Sequence, residues 1–294
     1  MRVYVMNSSK LRKLTMDELP DWSSWPARML SIEPFDIMHK TSEAIIREFG
    51  VDKWGALLKF FSGKDKFALA DVETMEQDPS ELIPCFQREL GFYLAMVKQA
   101  SNQQIDLYRD TLSPHAGAAS CLVELGAGYG SKILALSEKA PFDKLPLFAA
   151  EYTQSGCDLI ELIAQKTNKQ VQVGQCDFDK LYVNGLEIPE DSIIFTSYSV
   201  HYVPSLSKGF VNFISKFKPK VVVHFEPCYE LYDSQTLHGL MCKRYMELNG
   251  YTKNIASAIE IGCKEIGANF ETEHNVFGSN PFLPLSVIKW TPRS

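Results

Sequence analysis

No stretch of this 294-residue chain stays apolar for the roughly 20 residues that a membrane-spanning helix needs. The first residues, Met1 to Asn7, lack the long apolar core of a secretory signal. Clustered Lys and Arg are missing too, and the net charge is −6. Nucleic acid is therefore not an expected partner, because neutralising phosphates takes grouped cations. The seven cysteines (Cys85, Cys121, Cys157, Cys176, Cys228, Cys242 and Cys263) are odd in number, scattered, and form no C-x-x-C pair. That pattern excludes a disulfide frame or a zinc site and reads as reduced, buried thiols of a cytoplasmic protein. Repeats and low-complexity segments are absent, and nothing indicates an oligomeric state.

What is present is material for a sizeable core, 45% apolar and 12% aromatic. The length suits one α/β domain with an added element, or two small domains. One stretch organises the rest: Cys121-Leu122-Val123-Glu124-Leu125-Gly126-Ala127-Gly128-Tyr129-Gly130-Ser131-Lys132. An apolar run ends in an acid, three glycines follow at alternate positions, and a helical pattern (Ile133, Leu134, Leu136) begins. This spacing predicts a strand, a tight loop and a helix start, whose free N–H groups face whatever lies there. A dinucleotide fingerprint needs Gly or Ala where Ser131 stands, and a Walker loop needs Gly directly before Lys132, so neither fits.

The acid-x-Gly-x-Gly-x-Gly pattern of Glu124, Gly126, Gly128 and Gly130 resembles motif I of the class I S-adenosylmethionine-dependent methyltransferases. The resemblance covers roughly residues 115 to 294. It implies a Rossmann-like, mostly parallel sheet of seven strands with the last antiparallel and helices on both faces, and S-adenosyl-L-methionine as cofactor. The apolar strand Leu147 to Glu151 ends in an acid 21 residues after Gly130. An acid at that distance takes ribose hydroxyls in dinucleotide folds, since a carboxylate accepts two bonds at once from a vicinal diol. The resemblance gives Glu151 the same role. Within it, Asp177 matches the acid that accepts from the adenine amino group, with Cys176 or Phe178 lining the base; a plain turn aspartate is the alternative. Ala127, Tyr129, Tyr152, Ser197 and Tyr198 complete the expected cofactor contacts.

Further strands are expected at 171–178, 192–198, 221–227, 269–276 and 285–290, the last two as an antiparallel hairpin. Helical spacing is read at 41–49, 54–61, 153–167, 206–217 and 233–267, with a break at Asn249-Gly250. Residues 1–112 read as helical, with a stripe of Phe86, Leu90, Tyr93, Leu94 and Val97 after Pro84, a further helix from Ile105 to Leu112, and a polar loop over 62–80. Helices of this kind cover the substrate pocket in many members of the resembled family, so 1–112 is expected to be a substrate-covering region and 113–294 the cofactor-binding domain.

Ligands in open parallel sheets sit beyond the carboxyl ends of the strands, which puts residues 197–202 at the reacting end. His201, an imidazole able to exchange a proton near neutral pH, and Glu226, at the end of the fifth strand, are the candidate catalytic residues. His224 is read as a core histidine. Tyr202, Tyr229, Trp22 and Trp25 are candidate substrate contacts. Ser197-Tyr198-Ser199-Val200 lacks the Asn or Asp, two prolines and aromatic of the enzymes that methylate amide or base nitrogens, and no set of acids matches the metal ligands of catechol-type enzymes. The expectation is methyl transfer to oxygen or nitrogen of a small, partly apolar acceptor, possibly in secondary metabolism, without a metal. A peptide or protein acceptor, and a binding protein that keeps the fold without catalysis, are the alternatives.

Overall fold

A computed structural model describes residues 11–37 and 40–293; the expectation about Met1 to Asn7 lies outside the described residues. Among the described residues, eleven strands form one sheet: Arg12–Leu14 (β1), Leu82–Gln87 (β2), Gly91–Met96 (β3), Leu122–Leu125 (β4), Leu147–Glu151 (β5), Val171–Asp177 (β6), Tyr182–Asn184 (β7), Ile193–Ser197 (β8), Val221–Glu226 (β9), Asn269–Gly278 (β10) and Leu285–Thr291 (β11). The order is β1-β3-β2-β10-β11-β9-β8-β4-β5-β6-β7. Strands β6, β5, β4, β8 and β9 are parallel, and β11 closes against β9 in the antiparallel sense.

Helices are Trp25–Met29 (α1), Ser42–Ile45 (α2), Trp54–Ser62 (α3), Leu69–Glu76 (α4), Val97–Ala116 (α5), Ser131–Leu136 (α6), Gln154–Lys166 (α7), Phe210–Ser215 (α8), Leu237–Leu248 (α9) and Ile255–Glu265 (α10). A π-helical turn, Ile46–Lys53, joins α2 to α3. None of these helices is long and apolar enough to cross a membrane.

The central strands are short and wholly buried, and the period of two in a strand divides their side chains between two cores. Leu122, Ala149, Ile193 and Val223 face the cluster that holds Leu107, Leu134 and Ile160 of α5, α6 and α7. Their neighbours Val123, Ala150, Ile194 and Val222 face the cluster that holds Phe210, Ile214 and Ile259 of α8 and α10. Strands covered on both faces read as near-continuous apolar runs, which is why these segments stand out in the sequence.

Among the described residues the sheet has eleven strands where seven were expected, and three of the extra ones belong to the region read as helical. Leu82 to Met96 is a hairpin, β2 and β3, in register Cys85↔Tyr93 and Phe86↔Phe92. The turn between them reaches Gly91, whose φ is +76°. Apolar residues four and eight apart mimicked a helix there, although Gly91 stands between short runs that carry Phe86, Phe92 and Tyr93, which is a strand-turn-strand signal. Strand β10 pairs with β2 only at Phe86 and Gln87, so Pro84 sits where the outer edge of β2 carries no ladder, and its missing N–H costs no bond. Helix α5 runs on through Pro114 to Ala116, and the expected loop 62–80 contains α4, seated by the fully buried Val72.

Candidate active site

The carboxyl ends of β4, β5, β6 and β8 open onto one cavity of about 450 Å³. Its floor begins with the bend after β4. Gly126 and Gly128 hold φ of +75° and +58°, conformations that side chains with a Cβ resist. A Cβ on Gly126 would come within 2.5 Å of Ser199, and one on Gly128 within 3.3 Å of Trp54. The glycines therefore admit the Ser199 side chain from one direction and the Trp54 indole from the other. Gly130 does not line the cavity; its bare Cα lets Ile160 of α7 pack close.

Two buried carboxylates brace the bend. Glu124 accepts the Ile133 amide at 3.0 Å, at the start of α6. Glu151 accepts the Gly128 amide at 3.0 Å through Oε2, and the Thr153 amide and hydroxyl at 3.1 and 3.0 Å through Oε1. A carboxylate offers about four acceptor positions, so Glu151 keeps capacity toward the cavity. Burial raises both acids, Glu124 to about 8.

The folded chain thus binds a proton at Glu124 that the unfolded chain has released above the ordinary 4.5. That contribution is complete below the ordinary value and is lost as pH rises toward the folded one. Glu124→Gln keeps an acceptor for Ile133 without the charge. It is expected to gain about 2 kcal/mol over the parent between about pH 6 and about pH 8. Denaturant midpoints at the two pH values check this, and a difference that ignores pH would contradict it.

Asp177 is buried at the end of β6, and its Oδ1 accepts the Asp179 and Lys180 amides, both at 2.9 Å. It thus has the turn role weighed above while still lining the cavity. Beyond β8, Tyr198 takes a positive φ of 48° and donates its hydroxyl to the Leu283 carbonyl at 3.1 Å. Ser197 Oγ lies 2.7 Å from the Tyr108 hydroxyl, which Gln104 Nε2 also reaches at 2.7 Å. These three form a buried polar row from α5 to the cavity floor.

No family model and no curated protein matches the sequence. Solved structures do match in fold. Magnesium protoporphyrin IX methyltransferase from Synechocystis, with bound SAH, aligns over 86% of this chain and 100% of its own at TM-score 0.52 and 12% identity. The chain has the fold of the class I S-adenosylmethionine-dependent methyltransferases. The small RNA methyltransferase HEN1 aligns over 69% of this chain at TM-score 0.49 and 13% identity, and the match spans 28% of HEN1's length. Geranyl diphosphate methyltransferase, in complex with GPP and sinefungin, aligns over 68% of this chain and 81% of its own at TM-score 0.46 and 13% identity.

Within this methyltransferase fold, most of the expected cofactor residues meet at one cavity. Glu124, Gly126, Ala127, Gly128 and Tyr129 line it from the first bend, Glu151 and Tyr152 from β5, and Cys176, Asp177 and Phe178 from β6. Ser197, Tyr198 and Tyr202 line it from β8 and beyond.

His201 and Glu226 do not line it, which corrects the expectation that they meet the acceptor. They are 1% and 0% exposed. Glu226 accepts from the Ser199 amide and hydroxyl, the Val200 amide and His201 Nδ1, the last at 3.2 Å. Burial would raise its carboxyl, but the His201 contact and the two amides outweigh it and hold the group below its ordinary value. The pair fixes the loop after β8 from behind. His224 is a core residue, bridged between Thr196 and the Trp290 indole, and burial lowers it to about 4.

Three expected substrate contacts are also elsewhere. Trp25 packs against Phe35 and Tyr245 of α9, Trp22 lies under Arg12, and Tyr229 donates to Glu247 at 2.8 Å. The cap of the cavity comes instead from Lys40, Phe49, Lys53 and Trp54, with Asn280 and Leu283 at the opposite wall. Trp54 and Phe49 sit on helically spaced apolar positions and could have been found there, whereas nothing in the sequence marks Lys40 or Asn280.

Proposed function

We propose that this chain is an S-adenosylmethionine-dependent methyltransferase that moves a methyl group to an oxygen or nitrogen of a small, partly apolar acceptor. The observation that carries this reading is the convergence of four strand ends on one capped cavity. Its volume falls within the roughly 300–1,000 Å³ of small-molecule pockets. Bound there, the cofactor would supply a sulfonium-activated methyl, transferred by in-line displacement.

The chain's own residues fit that group. Glu151 retains one acceptor position for a ribose hydroxyl, and Cys176, Phe178 and Asp177 Oδ2, which Lys180 Nζ reaches at 3.4 Å, suit the base. Asp177, and Glu151 in its ionised form, bias the cavity toward a cation. Residues 1–112 supply the cover: Trp54 lies over Gly128 and meets Tyr129 edge to face at 5.0 Å. That cover keeps water from the reacting atoms, so alignment of the two partners supplies most of the rate. His201 and Glu226 act as positioning residues that set the loop carrying Tyr198 and Tyr202, while Ser197 offers a hydroxyl at the floor.

Isothermal titration tests the reading. Both S-adenosylmethionine and S-adenosylhomocysteine are expected to bind with one-to-one stoichiometry, and absence of binding by both would sink it.

A further inference from the structure

One charged cluster at the cavity lies outside the residues assigned above to the cofactor. Lys40 and Lys53 both line the cavity, while Glu48, which pairs with each of them, does not. Lys40 Nζ donates to Glu48 Oε2 at 2.8 Å and Lys53 Nζ to Oε1 at 3.0 Å. The Lys40 side chain is only 3% exposed. Its ammonium lies 5.1 Å from the centre of the Tyr202 ring and 5.6 Å from that of Tyr251, and the Lys53 ammonium lies 4.4 Å from that of Phe49.

An aromatic wall leads from the glycine bend to this cluster. Successive ring centres are 5.0 Å apart from Tyr129 to Trp54, 5.7 Å from Trp54 to Phe49, and 5.0 Å from Phe49 to Tyr202. Lys40 stands at the far end. The two ends of the cavity therefore differ in charge: Glu151 and Asp177 stand at the strand-end side, and two ammonium groups sharing one carboxylate stand beside Phe49 and Tyr202.

We propose that the acceptor is a carboxylic acid with a flat or apolar body, lying along this aromatic wall with its carboxylate against Lys40 and Lys53. The inference rests on the methyltransferase reading and adds the charge and shape of its substrate. Each ammonium has three donors and gives one to Glu48, which leaves donors for a second anion. Two cations and one anion leave a single net positive charge, which matches a monoanion. A phosphate dianion would meet repulsion from Glu48 without enough cations to offset it. The low dielectric of the cavity strengthens a charge-assisted bond there.

The test uses the whole chain saturated with S-adenosylhomocysteine, titrated with cinnamate and separately with cinnamamide, a pair alike in shape and different in charge. Cinnamate is expected to bind at least about tenfold more tightly, as a hydrogen bond to a charged group implies. Lys40→Met should erase most of that preference and Lys40→Arg should keep most of it. Lys53→Met, at a half-exposed position that folding tolerates, should reduce it. Equal affinity for the two probes, no binding of cinnamate, or a preference unchanged in both methionine variants would overturn the proposal. The titration of S-adenosylhomocysteine that precedes it reports on the methyltransferase reading separately, and the acid-to-amide ratio can be read without the cofactor.

Discussion

Glu226→Ala is expected to lower folding stability by about 3–5 kcal/mol, the usual consequence of removing one partner from a buried pair. The carboxylate gathers four donors from three successive residues, Ser199, Val200 and His201. Without it those donors are left unpaired in a site closed to water. Glu226→Gln returns one oxygen and should cost less. Because the Glu226 carboxyl is held below its ordinary 4.5, its contribution is fully present above that value. It fades as pH falls through the folded-state value, so the gap between the parent and Glu226→Gln should narrow in acid. Chemical unfolding across pH checks both statements; a loss under about 1 kcal/mol, the level of an ordinary surface change, would show that the loop does not depend on this anchor.

Glu151→Ala is expected to weaken S-adenosylhomocysteine binding about a hundredfold, the effect of losing a hydrogen bond to a charged group together with the anchor of the Gly128 amide. Its side chain both faces the cavity and holds the Gly128 amide at 3.0 Å, so the substitution removes an acceptor and loosens the bend together. Glu151→Gln, which keeps one acceptor oxygen, should lose about tenfold on the same grounds. Titration calorimetry reads both, with thermal unfolding alongside to confirm that the variants are folded. Affinity within twofold of the parent for Glu151→Ala would mean that the carboxylate serves only the Gly128 and Thr153 donors.

The parallel part of the sheet was legible because β4, β5, β8 and β9 are buried on both faces, so their runs are mostly apolar, broken only by single buried polar residues such as Glu124 and His224. Strands β1 and β7 have three residues each and leave no periodic trace. The β2–β3 hairpin was hidden by spacing that also fits a helix, with Gly91 as the overlooked turn signal.

The strand-end side of the cavity was legible for a topological reason: strand ends in an open parallel sheet must meet at the switch in strand order, and each end is contiguous in sequence with its loop. The cap was legible only in part: Phe49 and Trp54 occupy helically spaced apolar positions, whereas Lys40 and Asn280 reach the cavity only through tertiary packing. His201 and Glu226 lie at the strand ends where expected, yet spacing along a chain does not say which way a side chain points. The parallel register Ser197↔Phe225 brings Glu226 beside the amides of Ser199 and Val200, and it turns inward to meet them.

A crystal structure with S-adenosylhomocysteine bound tests the central claim most directly. The expected result is a nucleoside in the cavity between the Gly126–Gly128 bend and Phe178, its ribose hydroxyls within hydrogen-bond distance of Glu151 and its sulfur facing the loop from Ser197 to Tyr202. A ligand bound elsewhere, or ribose hydroxyls out of reach of Glu151, would contradict it.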